Sequence, residues 1–117
     1  MCEMSYDIGI GSTWFNYTSN VAKLFYDHIP ARDSRGGLHE LDGKTGKQAG
    51  DILADAFDRI QKTKLETWRS GVVGEPEFCA RYDSPNGWGS TVGALILLSQ
   101  VMAACYQNPR KRVSVDA

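Results

Sequence analysis

Ser5-Tyr6-Asp7-Ile8-Gly9-Ile10 places Tyr6, Ile8 and Ile10 in alternation with Ser5, Asp7 and Gly9, the two-residue period of a strand with one face toward a core. Gly11-Ser12 ends the run. At the far end of the chain Val113 and Val115 alternate with Arg112 and Ser114, and the most economical partner for this last strand is the first one. The chain termini are therefore expected to share a sheet, and what lies between them has helical rather than strand periodicity.

Working outward from the first strand, Thr13 to Asn20 is a polar and aromatic segment leading to Val21, Leu24, Phe25 and His28 at helical spacing. Ser19 or Asn20 is expected to cap that helix, and Pro30 stops it because its ring nitrogen cannot donate. Ala31 to Gly37 reads as a polar loop, and Leu38 to Leu41 as a short extended piece before the Asp42-Gly43 turn. Thr45 and Gln48 stand in capping-box spacing ahead of Ile52, Leu53, Ala56, Phe57 and Ile60. Asp51, Asp55, Asp58, Arg59 and Lys62 populate the other side of this helix, which reads as a solvated face.

In Lys64 to Gly74, Leu65 and Trp68 would continue the helix while Ser70-Gly71 and Gly74 would break it. Glu75-Pro76-Glu77 has the proline-first, acid-rich look of a further helix start, running to about Tyr82. Asp83 to Ser90 is a turn, and from Thr91 a helix apolar on nearly all sides is expected in the middle of the core, ending at Asn108-Pro109. Together these elements predict one α+β domain over residues 1–117: a small antiparallel sheet pairing the N- and C-terminal strands, packed with three to four helices.

Composition narrows the function classes. Apolar residues make up 42% and charged residues 23% of the 117, close to globular averages and far from disordered or fibrous chains. With 13 basic against 14 acidic side chains there is no basic surplus to displace counterions from duplex nucleic acid, which is not expected as a partner. Nor is there the acidic excess of a DNA mimic. Cys2, Cys79 and Cys105 are odd in number and widely spaced, with no secretory pattern before the first strand, so reduced thiols and a cytoplasmic location are expected. The sequon Asn16-Tyr17-Thr18 would matter only after secretion. Val92 to Tyr106, the most apolar stretch, contains Gly93, Ser99 and Gln100 and falls short of the roughly 20 residues that span a bilayer, so no membrane partner is expected.

Two segments carry recognition chemistry. Asp83 to Thr91 includes Asn86-Gly87-Trp88-Gly89-Ser90 just before a helix, where free N–H groups and a partial positive charge can hold an anion or a polar ligand edge. Trp88 would offer a stacking face there, or else plug the core. Trp14 to Asn20 concentrates amides, hydroxyls and rings before another helix. The candidate ligand-binding residues are Asn16, Tyr17, Thr18 and Asn20 from one segment and Asn86, Gly87, Trp88, Gly89 and Ser90 from the other.

Catalytic and metal patterns are weaker. Cys79 has no nearby histidine in sequence, His28 and His39 lying far from it. Acids at Glu75, Glu77 and Asp83 are already explained by helix ends. No spacing suggests zinc or calcium, and Gly46 and Gly50 beside Lys44, Thr45 and Lys47 lack the Walker spacing. No catalytic residue, metal or cofactor is expected. Arg110-Lys111-Arg112 is a local basic spot after a helix end.

In order and spacing, Asn16-Tyr17-Thr18-Ser19-Asn20, Leu41-Asp42-Gly43-Lys44-Thr45 and Pro85-Asn86-Gly87-Trp88-Gly89, followed by a helix, Cys105 and Pro109, make the chain resemble a family of small uncharacterised proteins encoded by phages and prophages. The resemblance runs over nearly the whole chain, and its distinctive pieces are Asn-Tyr-Thr-x-Asn and Asn-Gly-Trp-Gly. It implies a phage-type accessory protein in a bacterial host and no catalytic residue.

The leading expectation is thus a non-enzymatic binding protein whose two segments converge on a small polar or nucleotide-like ligand, as a host-defence inhibitor would. One alternative is an inhibitor that docks on a host protein through its aromatic loops. Another is a small hydrolase or transferase using an acid near Asp83. Assembly as a homo-oligomer is left open.

Overall fold

The computed structural model describes residues 5–32, 34–69, 74–84 and 89–116. It is an α+β fold: β1 (Ser5–Ile10), β2 (Thr13–Thr18), α1 (Ala22–His28), α2 (Gly46–Arg69), α3 (Gly74–Tyr82), α4 (Thr91–Gln107) and β3 (Val113–Asp116). The strands form one antiparallel sheet in the order β2-β1-β3, so the N- and C-terminal strands pair as expected.

The sheet's register follows from the alternation in β1. Tyr6, Ile8 and Ile10 are buried, and their cross-strand partners Tyr17, Phe15 and Thr13 on β2, with Val115 and Val113 on β3, share their face. Helices cover that side. The other face carries Asp7, Gly9, Trp14, Asn16, Ser114 and Asp116. Trp14 lies there over Gly9, where a Cβ would come within 2.8 Å of its ring, yet it remains 63% exposed.

β2 itself is a correction. Thr13 to Asn20 reads as a polar and aromatic loop, because Trp14 and Asn16 mask a Phe15–Tyr17 alternation that tertiary packing makes visible, but its first six residues are a strand. Ile10 pairs with Thr13, so Gly11 and Ser12 form a two-residue hairpin turn with Gly11 at φ +59°, the positive φ that such turns require at their first central position.

The first helix is not capped by Ser19 or Asn20. Residues Ser19–Val21 make a 3-10 turn, Thr18 Oγ1 accepts from Asn20 N at 3.2 Å, and Val21 occupies the cap position without a side-chain bond. Leu38 to Leu41 is likewise not extended but part of a 3-10 helix, Gly37–Leu41. Leu38 and Leu41 are both buried in this turn, which also buries Glu40, held by Ser34 N at 2.8 Å and by Ser34 Oγ.

α2 starts as the sequence predicts. Thr45 N donates to Gln48 Oε1 at 3.0 Å and Gln48 N to Thr45 Oγ1 at 3.3 Å, the reciprocal capping box. The helix continues to Arg69, so Leu65 and Trp68 extend it. Ala49, Leu53, Ala56 and Ile60 face the core, while Asp51–Lys47, Asp55–Arg59 and Asp58–Lys62 are exposed i,i+4 pairs, each worth a few tenths of a kcal/mol.

α4 buries Ala94, Leu97, Leu98, Val101, Ala104 and Cys105, but Val92 and Ile96 stay 57% and 53% exposed. The expected all-round burial is therefore wrong: the sheet and α2 together cover only part of its circumference. Gly46 and Gly50 are explained by the α2–α4 contact. A Cβ on Gly46 would collide with the backbone oxygens of Cys105 and Asn108, and one on Gly50 would meet the Tyr106 ring at 2.8 Å.

Candidate functional site

The two recognition segments do meet in part. Tyr17, on the helix side of β2, donates from Oη to Ser90 O at 3.1 Å and accepts from Ser90 N at 3.2 Å. Thr18 presses on Gly89, where a Cβ would come within 2.6 Å of Thr18 Cγ2, and Gly89 adopts φ +112°. A Cβ on Gly93 would stand 2.5 Å from Tyr17 Oη. These four residues, Tyr17, Thr18, Gly89 and Ser90, thus form a close-packed junction.

The free N–H groups expected at the start of α4 are largely taken. Asp83 Oδ1 accepts from Thr91 N at 2.7 Å, Ser90 Oγ accepts from Gly93 N at 3.0 Å, and Ser90 O accepts from Ala94 N at 2.9 Å. Asn16 is turned the other way, onto the open sheet face, where its Nδ2 donates to Asp7 Oδ1 at 2.7 Å. Asn20 is exposed beyond β2. Asn86, Gly87 and Trp88 lie outside the described residues.

Asp83 is committed to this cap. Donation from the Thr91 backbone, then from the Thr91 hydroxyl, holds its carboxyl below the ordinary aspartate range despite some desolvation. A depressed folded pKa stabilises the native state above the unfolded value of ~3.9, and that stability is lost as pH falls through the folded value. Asp83→Ala should therefore lower stability by about 1 kcal/mol near neutral pH, the scale of a lost helix cap, and flatten the acid side of the stability–pH curve. Urea midpoints measured from neutral to acid pH will show it.

A second polar cluster was not read from the sequence. Tyr82 Oη donates to Asp27 Oδ2 at 2.8 Å, Lys23 Nζ reaches the same oxygen at 2.8 Å, and the buried His28 ring packs 5.7 Å from Tyr82. Burial, then the bond to Asp27, pushes the Tyr82 hydroxyl up to about 12. Burial would raise Asp27, but the bonds from Lys23 and Tyr82 outweigh it and hold the carboxylate low. His28 Nδ1 donates to Leu24 O at 2.7 Å. The cluster ties α1 to α3, and its spacing in sequence gave no sign of it.

Open volume lies elsewhere. A cavity of about 410 Å³ sits between the start of α2 and the segment that follows α1. One wall is a helical stripe of Gln48, Asp51, Ile52 and Asp55; Ile29, Pro30 and Arg32 form the other, with Lys44 and the buried Glu40 completing it. Tyr106 Oη donates to Asp51 Oδ1 at 2.8 Å on the α2 wall. At ~1.5 Å per residue, α4 puts roughly 24 Å between Tyr106 and the Ser90 junction, so the cavity and that junction are separate places. Asp51 and Asp55, expected only on a solvated face, line this cavity as well. Sequence periodicity located their helix but could not show that the 29–32 segment stands opposite.

Among the described residues no three His, Cys, Asp or Glu gather closely enough to hold a metal ion, and no helix is long and apolar enough to cross a membrane. Cys105 is buried, and desolvation raises its thiol to about 11. No family model, curated protein or solved structure matches the chain.

Proposed function

We propose that this chain is a non-enzymatic binding protein, of the phage accessory kind its motifs resemble, which captures a small polar ligand in the cavity between α2 and residues 29–32. The observation that carries this reading is the cavity itself. Its volume of about 410 Å³ falls within the ~300–1,000 Å³ usual for small-molecule sites. Ile29, Pro30 and Ile52 offer apolar surface, and the remaining lining is polar or charged. No described residue makes an ion pair with the exposed Arg32, so its guanidinium can serve a ligand.

The test is thermal unfolding of the purified chain with cyclic and linear nucleotides, organic anions and free amino acids. One class should raise the midpoint, by an amount equivalent to about 2.7 kcal/mol at a hundred times Kd, and Arg32→Ala should reduce that shift. If nothing in the panel moves the midpoint, the proposal fails.

Docking on a host protein is a second reading, supported by Trp14 on the open sheet face and by the outward Val92 and Ile96 of α4, since aromatic anchors dominate protein interfaces and exposed apolar side chains add contact area. Under it, Ile96→Asp would abolish the association while leaving every small-molecule shift in place.

A further inference from the structure

Resting on the cavity reading above, we infer that the ligand is a zwitterion of the amino-acid type, its carboxylate bound by Arg32 and its ammonium by Asp55.

The charges around the cavity carry this. Two cations, Arg32 and Lys44, face three carboxylates, Glu40, Asp51 and Asp55. A polyphosphate would bring several negative charges into a lining that already has more acids than bases, and like charges so placed repel. A ligand with one charge of each sign meets no such penalty. Opposite charges also stand on the two walls: Arg32 follows α1, whereas Asp51 and Asp55 lie one turn apart on α2.

The carboxylates differ in availability. Asp51 is engaged on both oxygens, by Tyr106 Oη and Lys47 Nζ. Glu40 is buried and held by Ser34. Asp55 has a single described partner, Arg59 Nε, 2.7 Å from Oδ2. With side-chain exposures of 46% for Arg59 and 52% for Asp55, that pair is weak enough to yield to a ligand. Asp55 and Arg32 are therefore the two lining charges with least to lose by turning to a ligand.

Calorimetric titration of the full chain tests this with free α-amino acids, ω-amino acids, their N-acetyl and decarboxylated analogues, and nucleotides. Saturable binding of a zwitterion is expected. Both analogues should bind at least tenfold more weakly, and so should the zwitterion to Arg32→Ala and to Asp55→Asn. Both side chains are exposed, and unchanged unfolding midpoints will confirm that the variants fold. If a nucleotide or simple anion binds instead, sensitive to Arg32→Ala and indifferent to Asp55→Asn, the zwitterion inference is overturned while the binding-protein reading stands. A zwitterion that binds both variants as it binds the parent also overturns it. No binding across the panel removes both.

Discussion

Gly46→Ala is expected to destabilise the protein by about 3 kcal/mol, at the upper end for overpacked sites, although alanine is the better helix former by roughly 0.5–1 kcal/mol. The added methyl would be driven into the backbone oxygens of Cys105 and Asn108. Backbone cannot step aside as a flexible side chain does. The site is pinned further by Gly46 N donating to Lys111 O at 2.7 Å and Lys47 N to Pro109 O at 3.1 Å. The methyl must therefore push α2 from the end of α4 and stretch the bonds that join them. Gly50→Ala should cost less, because a Cβ there meets only the half-exposed Tyr106 ring. Urea unfolding of the two variants will separate the cases: a Gly46→Ala midpoint equal to that of the parent would show that the helices can part without loss.

Phe78→Ala should cost about 3–5 kcal/mol, the range for removing a fully buried aromatic ring. Phe78 is completely buried, with ring centroids 6.0 Å from His28 and 5.2 Å from Tyr82. Its ring brings α3 against the His28 ring of α1. Its loss would leave a cavity beside the Tyr82–Asp27 hydrogen bond, so that bond should loosen as well. In a domain whose whole stability is about 5–15 kcal/mol, this removes a large share. Chemical denaturation supplies the measurement, and a change below about 1 kcal/mol would mean that α3 contributes little to the cooperative fold.

Legibility varied from element to element for physical reasons. β1 was readable because its alternation is unbroken, and the capping box before α2 because both partners lie within one turn. β2 was obscured because its outward positions hold Trp14 and Asn16, a large ring and an amide, so burial does not follow hydropathy along the strand. In the Gly37–Leu41 turn, Leu38 and Leu41 are buried three residues apart, a spacing too short to establish a helical period. Of the candidate ligand residues, the structure brings Tyr17 and Thr18 against Gly89 and Ser90 and turns Asn16 away. Parity separates Tyr17 from Asn16, while Thr18 reaches Gly89 as the last residue of β2, where the strand gives way to the Ser19–Val21 turn; neither could be known before the strand was.

By itself the sequence determined the elements whose cause is local: the alternation of Ser5 to Ile10 and of Val113 to Val115, the start of α2, and the stops at Pro30 and Asn108-Pro109. Those suffice for an α+β fold with its terminal strands paired. Only the tertiary structure decided where open volume lies, because a cavity is made by side chains distant in sequence. Arg32 and Asp55 come to line one space because α2 packs against the segment leaving α1, and no pattern along either stretch encodes the distance between them.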